Sequence, residues 1–504
     1  MRVLCFGLDG ADYDLVQDLL AQGKLPTLSR LSRDGAFGPL RSTIPPLTPV
    51  AWSSFLTGLN PGGHGIFGFS ANPQRAVMRL ESAANRAGVP IWRILGAAGI
   101  RSAFVTVPFT YPPDPIAGLL VTGWGGPQRP EILPATARDR IFAAHPDLVT
   151  AQSPTGWSND LDAFTRKLVD HVDEIADVCL LAMELEPDLG LLCVDFMSSD
   201  IAGHLTWHRL DPTHPAHDEP GEELIRVYEA VDRACSELIE QATWLYGEEP
   251  TVVVLSDHGM KPTHWLFRTN RWLEEAGYLR YQPGSPTPAA KRPDRDEPPR
   301  AEIDFDATRA YSVGYGGQIY LADGAGGGDN GLLAELKAAL ADITHPETQE
   351  PVFEVKTKHE LYRGPFLDRA PELFLLPRDE RVYADSSRQL WHEAFQRNER
   401  LVVRGASSYS GQHALNGILA AAGPGVRPAV VPDGTEITSL PATLLALLGL
   451  SAELEAAPIE AILAGDGVRE RRDVPATRRP AEASVYSKKE EQEMIRRLEE
   501  LGYE

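Results

Sequence analysis

Thr48, Asp9, Asp200, His204, Asp257, His258 and His413 are the side chains whose types and spacing could do chemistry together. Thr48 lies in TIPPLTPVAWSSFLTGLNPGGHGIFGF, directly before Pro49, which suits the first turn of a helix because proline has no N–H to leave unpaired. A threonine hydroxyl is a poor nucleophile until a base or a metal ion lowers its pKa. Taken alone, Thr48 reads as a cap on the helix AWSSFLTG. Asp200 and His204, in MSSDIAGHLTWH, are four apart, so one helical face would bring both heads within reach of a single ion. Asp257 and His258 end the apolar run TVVVLSDHGM. Adjacent strand residues point to opposite faces, so this pair shares a centre only where the chain turns, which Gly259 permits. Asp9 closes the run VLCFGL, and His413 stands in SYSGQHALNGI. Any one of these reads first as a hydrogen-bonded structural group. Jointly they make two adjacent metal sites, Asp200 with His204 and His413, and Asp9 with Asp257, His258 and Thr48.

The elements that must position them are buried strands and amphipathic helices. Val3 to Leu8, DLGLLCVDF and TVVVL are short continuous apolar runs, as in strands of a parallel sheet covered on both faces. Open α/β sheets hold ligands just beyond the carboxyl ends of such strands, where Asp9 and Asp257 fall. For Asp9 the alternative is a cap on the helix around Tyr13 to Ala21. From Asp160 to Glu186, Phe164, Leu168, Val172, Ile175, Val178, Cys179 and Met183 recur at helical spacing, and Pro187 stops the helix. Glu222 to Trp244 repeats the pattern. His413 precedes one more buried strand, Gly417 to Ala422. The expected fold is α/β, a doubly wound, mostly parallel sheet with helices on both faces and an inserted cap. Residues 1–280 and 398–466 would form the catalytic core, 281–305 a Pro- and charge-rich linker, 306–397 the cap or substrate subdomain, and 467–504 a tail with a helix. A capping box at Ser487 and Glu490, with Met494, Ile495, Leu498 and Leu501 on one stripe, predicts that this last helix docks.

At 504 residues and 24% charged the chain has the composition of a globular protein. A net charge of −23 argues against a nucleic-acid-binding surface, and an anionic substrate would need local cations such as metal ions. Cys5, Cys179, Cys193 and Cys235 lie in apolar contexts without CxxC spacing, which reads as core thiols in a reducing compartment. No signal peptide or membrane span is apparent, so a cytoplasmic enzyme with no membrane partner is expected.

The motifs GLDG, PPLTPVAWSSFLTGLNPGGHGI, DIAGH, SDHGM and SGQHALNGI, in this order, resemble the alkaline phosphatase superfamily, most closely its type I phosphodiesterase and nucleotide pyrophosphatase branch. They span residues 7 to 418, and LPATLLALLGL and the closing RLEELGY are similar as well. The resemblance implies a hydrolase of a small phosphorylated substrate with two divalent ions, usually Zn2+ and sometimes Mn2+, in which Thr48 attacks phosphorus in line and a phosphothreonine forms. Asp9, Asp257 and His258 would hold the ion beside Thr48, and Asp200, His204 and His413 the ion beside the leaving oxygen. There are departures. Nucleotide pyrophosphatases carry Asn three residues after the nucleophile, where this chain has Ala51. No Arg adjoins Thr48 as in alkaline phosphatases proper, and the CxPxR-type motif of sulfatases is absent. A monoesterase or phosphomutase would use the same seven residues, and a binding protein on a hydrolase fold is the alternative of another class. His64 matches a family residue that is not a ligand, and His208 and His214 could line the pocket or simply pack.

Overall fold

The computed structural model describes residues 2–71, 79–153, 160–285, 301–322, 330–388, 393–399, 409–465, 470–471 and 485–500. Among them a nine-stranded sheet forms the centre. Its strands are β1 (Val3–Leu8), β2 (Ala36–Arg41), β3 (Arg101–Val105), β4 (Gly118–Val121), β5 (Ile132–Leu133), β6 (Leu189–Phe196), β7 (Thr251–Leu255) and two late strands, Asn416–Ala422 and Ala429–Val430. β7, β1, β6, β3 and β4 lie side by side and are all parallel. Asn416–Ala422 runs antiparallel between β7 and β2.

Every residue of β1 is buried, and its alternation explains why the run is apolar throughout. Leu4, Phe6 and Leu8 join one apolar cluster with residues of α2 (Leu161–Leu185) and α4 (Glu223–Tyr246). Val3 and Cys5 join the opposite cluster with Trp52 and Phe55 of α1 (Thr48–Thr57). Each large side chain so buried contributes about 1.5–3 kcal/mol. The long helix is where its spacing placed it: Asp160 caps it by accepting the Ala163 N–H at 2.8 Å, and it ends at Leu185, before Pro187. α3 (Ser198–Leu210) follows β6 at once.

Two local expectations are corrected. Asp12, rather than Asp9, caps the helix Tyr13–Ala21, accepting the Leu15 N–H at 3.1 Å, so the Asp9 carboxylate is free of that duty. The chain bends at Asp257 and His258 as expected, but Gly259 enters for another reason than a left-handed turn: it opens a short strand, Gly259–Pro262, where a Cβ would lie 2.3 Å from the Asn416 carbonyl oxygen. His413 sits within a two-stranded ladder, on Gly411–Ala414 opposite Met260, one short strand earlier than Gly417–Ala422.

A second, antiparallel sheet comprises Ala310–Ser312, Gln318–Leu321, Leu373–Pro377 and Phe353–Thr357, in that spatial order. It has its own apolar cluster, in which Leu336 and Leu340 of the helix Asn330–Ala341 meet Phe267, Phe353 and Leu373. Most of the Pro-rich stretch, 286–300, lies outside the described residues, as does Leu501. The last helix, α5 (Lys488–Glu500), docks on its own chain. Its capping box is formed, Met494 and Leu498 are buried, and Arg497 donates to the Gly126 carbonyl at 2.9 Å. No described helix is long and apolar enough to cross a membrane.

His64 serves packing. Its Nδ1 accepts the Ile66 N–H at 3.1 Å, so Nε2 carries the proton toward Ser54 Oγ at 3.0 Å. Burial, then the nearby Arg86, pushes its pKa from 6.5 down to about 3. The unfolded chain therefore binds a proton that the folded one refuses, and stability is lost as pH falls below 6.5, by about 1.4 kcal/mol per pH unit for this group. Urea unfolding between pH 6 and pH 5 should show a steeper loss for wild type than for His64→Gln. Equal slopes would contradict the assignment.

Candidate active site

Strand register sets the depth of the carboxylates. Gly7 pairs with both Leu255 and Asp195, so Asp9 and Asp257, each two residues farther along, sit level at the carboxyl edge. Asp195 lies one pleat repeat deeper, roughly 7 Å toward the core. Thr48 is the first residue of α1. Leu47 occupies the cap position and no side chain caps this helix, so the Thr48 hydroxyl is not used for capping. On α3 the four-residue spacing does what it should: His204 Nε2 lies 3.5 Å from Asp200 Oδ1.

All seven sequence-derived residues converge. Thr48 Oγ1 is 3.3 Å from His258 Nε2, which is 3.4 Å from Asp257 Oδ2 and 3.6 Å from Asp9 Oδ1. His413 Nε2 is 3.3 Å from Asp200 Oδ1 and 3.0 Å from His204 Nε2. The His258 and His413 rings stack at 3.7 Å between centroids and join the two halves. The grouping differs in one respect from the expected pair of sites. His258 stands between them, its ligand atom within 4.8 Å of Asp200 and His413 on one side and of Asp9 and Asp257 on the other.

The backbone fixes each imidazole. His204 Nδ1 pairs with the Gly411 carbonyl at 2.9 Å, His258 Nδ1 with the Gly259 carbonyl at 3.0 Å, and His413 Nδ1 with the Pro46 carbonyl at 2.8 Å. A carbonyl only accepts, so each Nδ1 carries the ring proton and each Nε2 presents a lone pair inward, the arrangement that orients metal-ligating histidines. The Thr48 O–H then donates to His258 Nε2.

Charge balance asks for cations. Burial, then Asp257, Asp195 and Asp200, holds Asp9 well above the usual carboxylate range; burial, then Asp200, does the same to Asp257. Burial pushes His204 down to about 4 and His258 well below 6.5, so these two rings are neutral near pH 7. Asp9 Oδ1, Asp200 Oδ1 and Asp257 Oδ2 are buried and accept no hydrogen bond. Oxygen and imidazole donors without thiolate, with orphaned carboxylate oxygens facing one another, fit a pair of divalent ions.

Three neighbours were not legible as site residues. Trp52, one turn after Thr48, donates its Nε1–H to Asp9 Oδ2 at 3.0 Å; the four-residue helical spacing was the available signal. Asp195, buried with neither oxygen hydrogen-bonded, was signalled by an acid inside an apolar run, LLCVDF. Tyr315 accepts the His413 N–H at 3.1 Å and faces its ring at 5.0 Å; it comes from the second unit, and nothing in its local sequence marks it. His208 and His214 are buried in a separate group with His264, whose Nε2 is 2.8 Å from Asp211 Oδ2.

A family model for type I phosphodiesterases and nucleotide pyrophosphatases matches residues 3–403. No curated protein matches the sequence. Among solved structures, human ectonucleotide pyrophosphatase/phosphodiesterase 5 is similar at 16% identity and a TM-score of 0.54, over 92% of this chain and 100% of that one. Phosphonoacetate hydrolase from Sinorhizobium meliloti 1021, in complex with phosphonoformate, is similar at 16% identity and a TM-score of 0.51, over 88% and 94%. The murine pyrophosphatase/phosphodiesterase 5, as an inactive threonine-to-alanine variant in complex with AMP, is similar at 16% identity and a TM-score of 0.50, over 92% and 100%. At these identities the structures share a fold with this chain. The family match covers most of its length, and the chain belongs to the type I phosphodiesterase / nucleotide pyrophosphatase family of the alkaline phosphatase superfamily, a family of metal-dependent phosphoric ester hydrolases.

Proposed function

We propose that the protein is a phosphodiesterase that uses Thr48 as nucleophile and two divalent ions, Zn2+ or Mn2+, through a phosphothreonine intermediate. The observation that carries the reading is the Thr48 hydroxyl hydrogen-bonded to an inward-facing His258 Nε2, beside the buried carboxylates of Asp9 and Asp257, each with one oxygen that accepts no hydrogen bond. Asp9, Asp257 and His258, with Thr48 itself, would hold one ion; Asp200, His204 and His413 would hold the other. Bound there, the ions supply positive charge that acidifies the Thr48 hydroxyl and offsets charge on the phosphoryl oxygens.

The chain's own residues do the rest. Pro49 and the start of α1 point Oγ1 at the carboxylate edge, and Trp52 fixes the Asp9 carboxylate through one oxygen, leaving the other inward. The Thr48 oxygen bonds to phosphorus in line as the bond to the leaving alcohol breaks, the hydroxyl's proton ending on the released alcohol; a second in-line displacement by water then breaks the Thr48 O–P bond, returns a proton to Thr48 and releases the phosphomonoester. Diesters are favoured over monoesters because the stretch Thr43–Phe69 contains no Lys or Arg to hold a monoester dianion. The description of the murine neighbour as inactive with its threonine replaced accords with this reading. We place the reaction in the cytoplasm, for which the support is four buried, unpaired cysteines. The second sheet, as a cap, would select the substrate.

The test is acid quench of metal-loaded protein turning over an aryl phosphodiester, followed by peptide mass spectrometry. A phosphoryl adduct on the peptide containing Thr48 is expected. Turnover with the adduct on another residue, or no hydrolysis of either mono- or diesters, would overturn the reading.

A further inference from the structure

The two halves of the site are not supported alike. Around Asp9, Asp257 and His258 the partners belong to the catalytic unit: the Trp52 Nε1–H on Asp9 Oδ2, the Gly10 N–H on Asp257 Oδ1 and the Gly259 carbonyl on His258 Nδ1. His413 is held in part from outside. Its backbone N–H donates to the Tyr315 hydroxyl at 3.1 Å, and the buried Tyr315 ring lies 5.0 Å from the imidazole at an interplanar angle of 32°. Tyr315 stands in VGYGG, the turn between Ala310–Ser312 and Gln318–Leu321, two antiparallel strands of the second sheet. Gly314 and Gly317 give the turn its shape, with φ of 88° and 71°. The turn is well anchored. Asn270 brackets Ser312, accepting its N–H at 2.8 Å and donating to its carbonyl at 2.9 Å, while the Leu375 N–H donates to the Gly317 carbonyl at 3.0 Å. Gln318 Nε2 then ties the hairpin to the stretch after α1, donating to the Phe67 carbonyl at 2.7 Å.

We propose that Tyr315 is a positioning residue through which the second sheet completes the ion site of Asp200, His204 and His413. The inference rests on the two-ion reading. The His413 Nε2 lone pair lies 3.0 Å from His204 Nε2 and 3.3 Å from Asp200 Oδ1, and such electron-rich groups repel one another until a cation joins them. Something must hold the ring in place beforehand. The Pro46 carbonyl, 2.8 Å from Nδ1, fixes the rotation of the ring, and Tyr315 fixes the backbone it projects from and limits its tilt. Displacing the hairpin therefore releases this ion in preference to its neighbour, whose ligands owe nothing directly to the second sheet.

The test is Zn2+ titration of the chelated full chain against a chromophoric competitor, which resolves two stepwise constants; His413→Asn marks the step that belongs to this site. Tyr315→Phe keeps the ring and removes the acceptor, and should weaken that step about tenfold while the other step moves less than about threefold. Tyr315→Ala removes both and should weaken it about a hundredfold. Excess Zn2+ should return kcat of Y315F on an aryl phosphodiester to within about threefold of wild type, because the defect lies in affinity and not in bond making. Thermal unfolding of the chelated variants reports any loss of packing, and should Y315A fail to fold, Y315F decides. Two constants unchanged in Y315F, or both weakened alike, would overturn the role of Tyr315 and leave the two-ion reading standing. Fewer than two ions on the wild type would remove the two-ion reading and this inference with it.

Discussion

Thr48→Ala is expected to lower kcat on a phosphodiester by about 10⁴-fold or more, a loss of about 5 kcal/mol of transition-state stabilisation. The hydroxyl is the only group Thr48 contributes beyond a methyl, and the helix does not use it as a cap, so the stability cost should stay near 1 kcal/mol. Thr48→Ser keeps the oxygen and should retain activity within about a hundredfold, the difference reflecting the rotamer freedom that the β-branch removes. The two variants together separate loss of a nucleophile from loss of packing. A Thr48→Ala protein that turns over within tenfold of wild type, at equal metal content, would exclude Thr48 from bond formation.

Metal removal is the second large effect. Chelation is expected to abolish turnover, and readdition of Zn2+ or Mn2+ to restore it, with two ions bound per chain by elemental analysis. The same experiment should reveal a conflict between stability and function, because the carboxylates are crowded for a purpose other than folding. In the chelated protein the raised pKa values of Asp9 and Asp257 mean that the unfolded chain releases protons the folded chain keeps. Stability of that form should thus fall as pH rises above about 3.8 toward the raised values, opposite in sign to the effect of His64. Asp257→Asn retains the oxygen that accepts the Gly10 N–H at 3.3 Å and removes the charge. It should stabilise the chelated protein by about 1–3 kcal/mol. In the metal-loaded state it should weaken one ion's binding and cost at least a hundredfold in activity. Ligand stabilisation of about 4 kcal/mol at a thousandfold excess over Kd makes the contrast measurable by thermal unfolding. Asp257→Asn that destabilises the chelated and loaded forms equally would count against a cation-holding role.

The sequence by itself determined the class of fold and the roster of candidates. Val3–Leu8, Leu189–Phe196 and Thr251–Leu255 are apolar apart from Asp195 and Thr251 because a covered parallel strand exposes neither face, and that requirement is local enough to read from composition alone. The four-residue step from Asp200 to His204 is equally local, since helical geometry turns spacing into proximity. The ordered motifs placed the chain in its superfamily before any geometry was known. Tertiary structure decided what spacing cannot carry. His258 faces both halves of the site because its ring stacks on His413, a residue 155 positions away whose orientation is set by the Pro46 carbonyl. Which helix Asp12 caps, why Gly259 has no side chain, and how Tyr315 reaches His413 depend on close approaches between segments distant in sequence. Such contacts arise from packing of the whole chain, and the short-range periodicities that betray helices and strands hold no record of them.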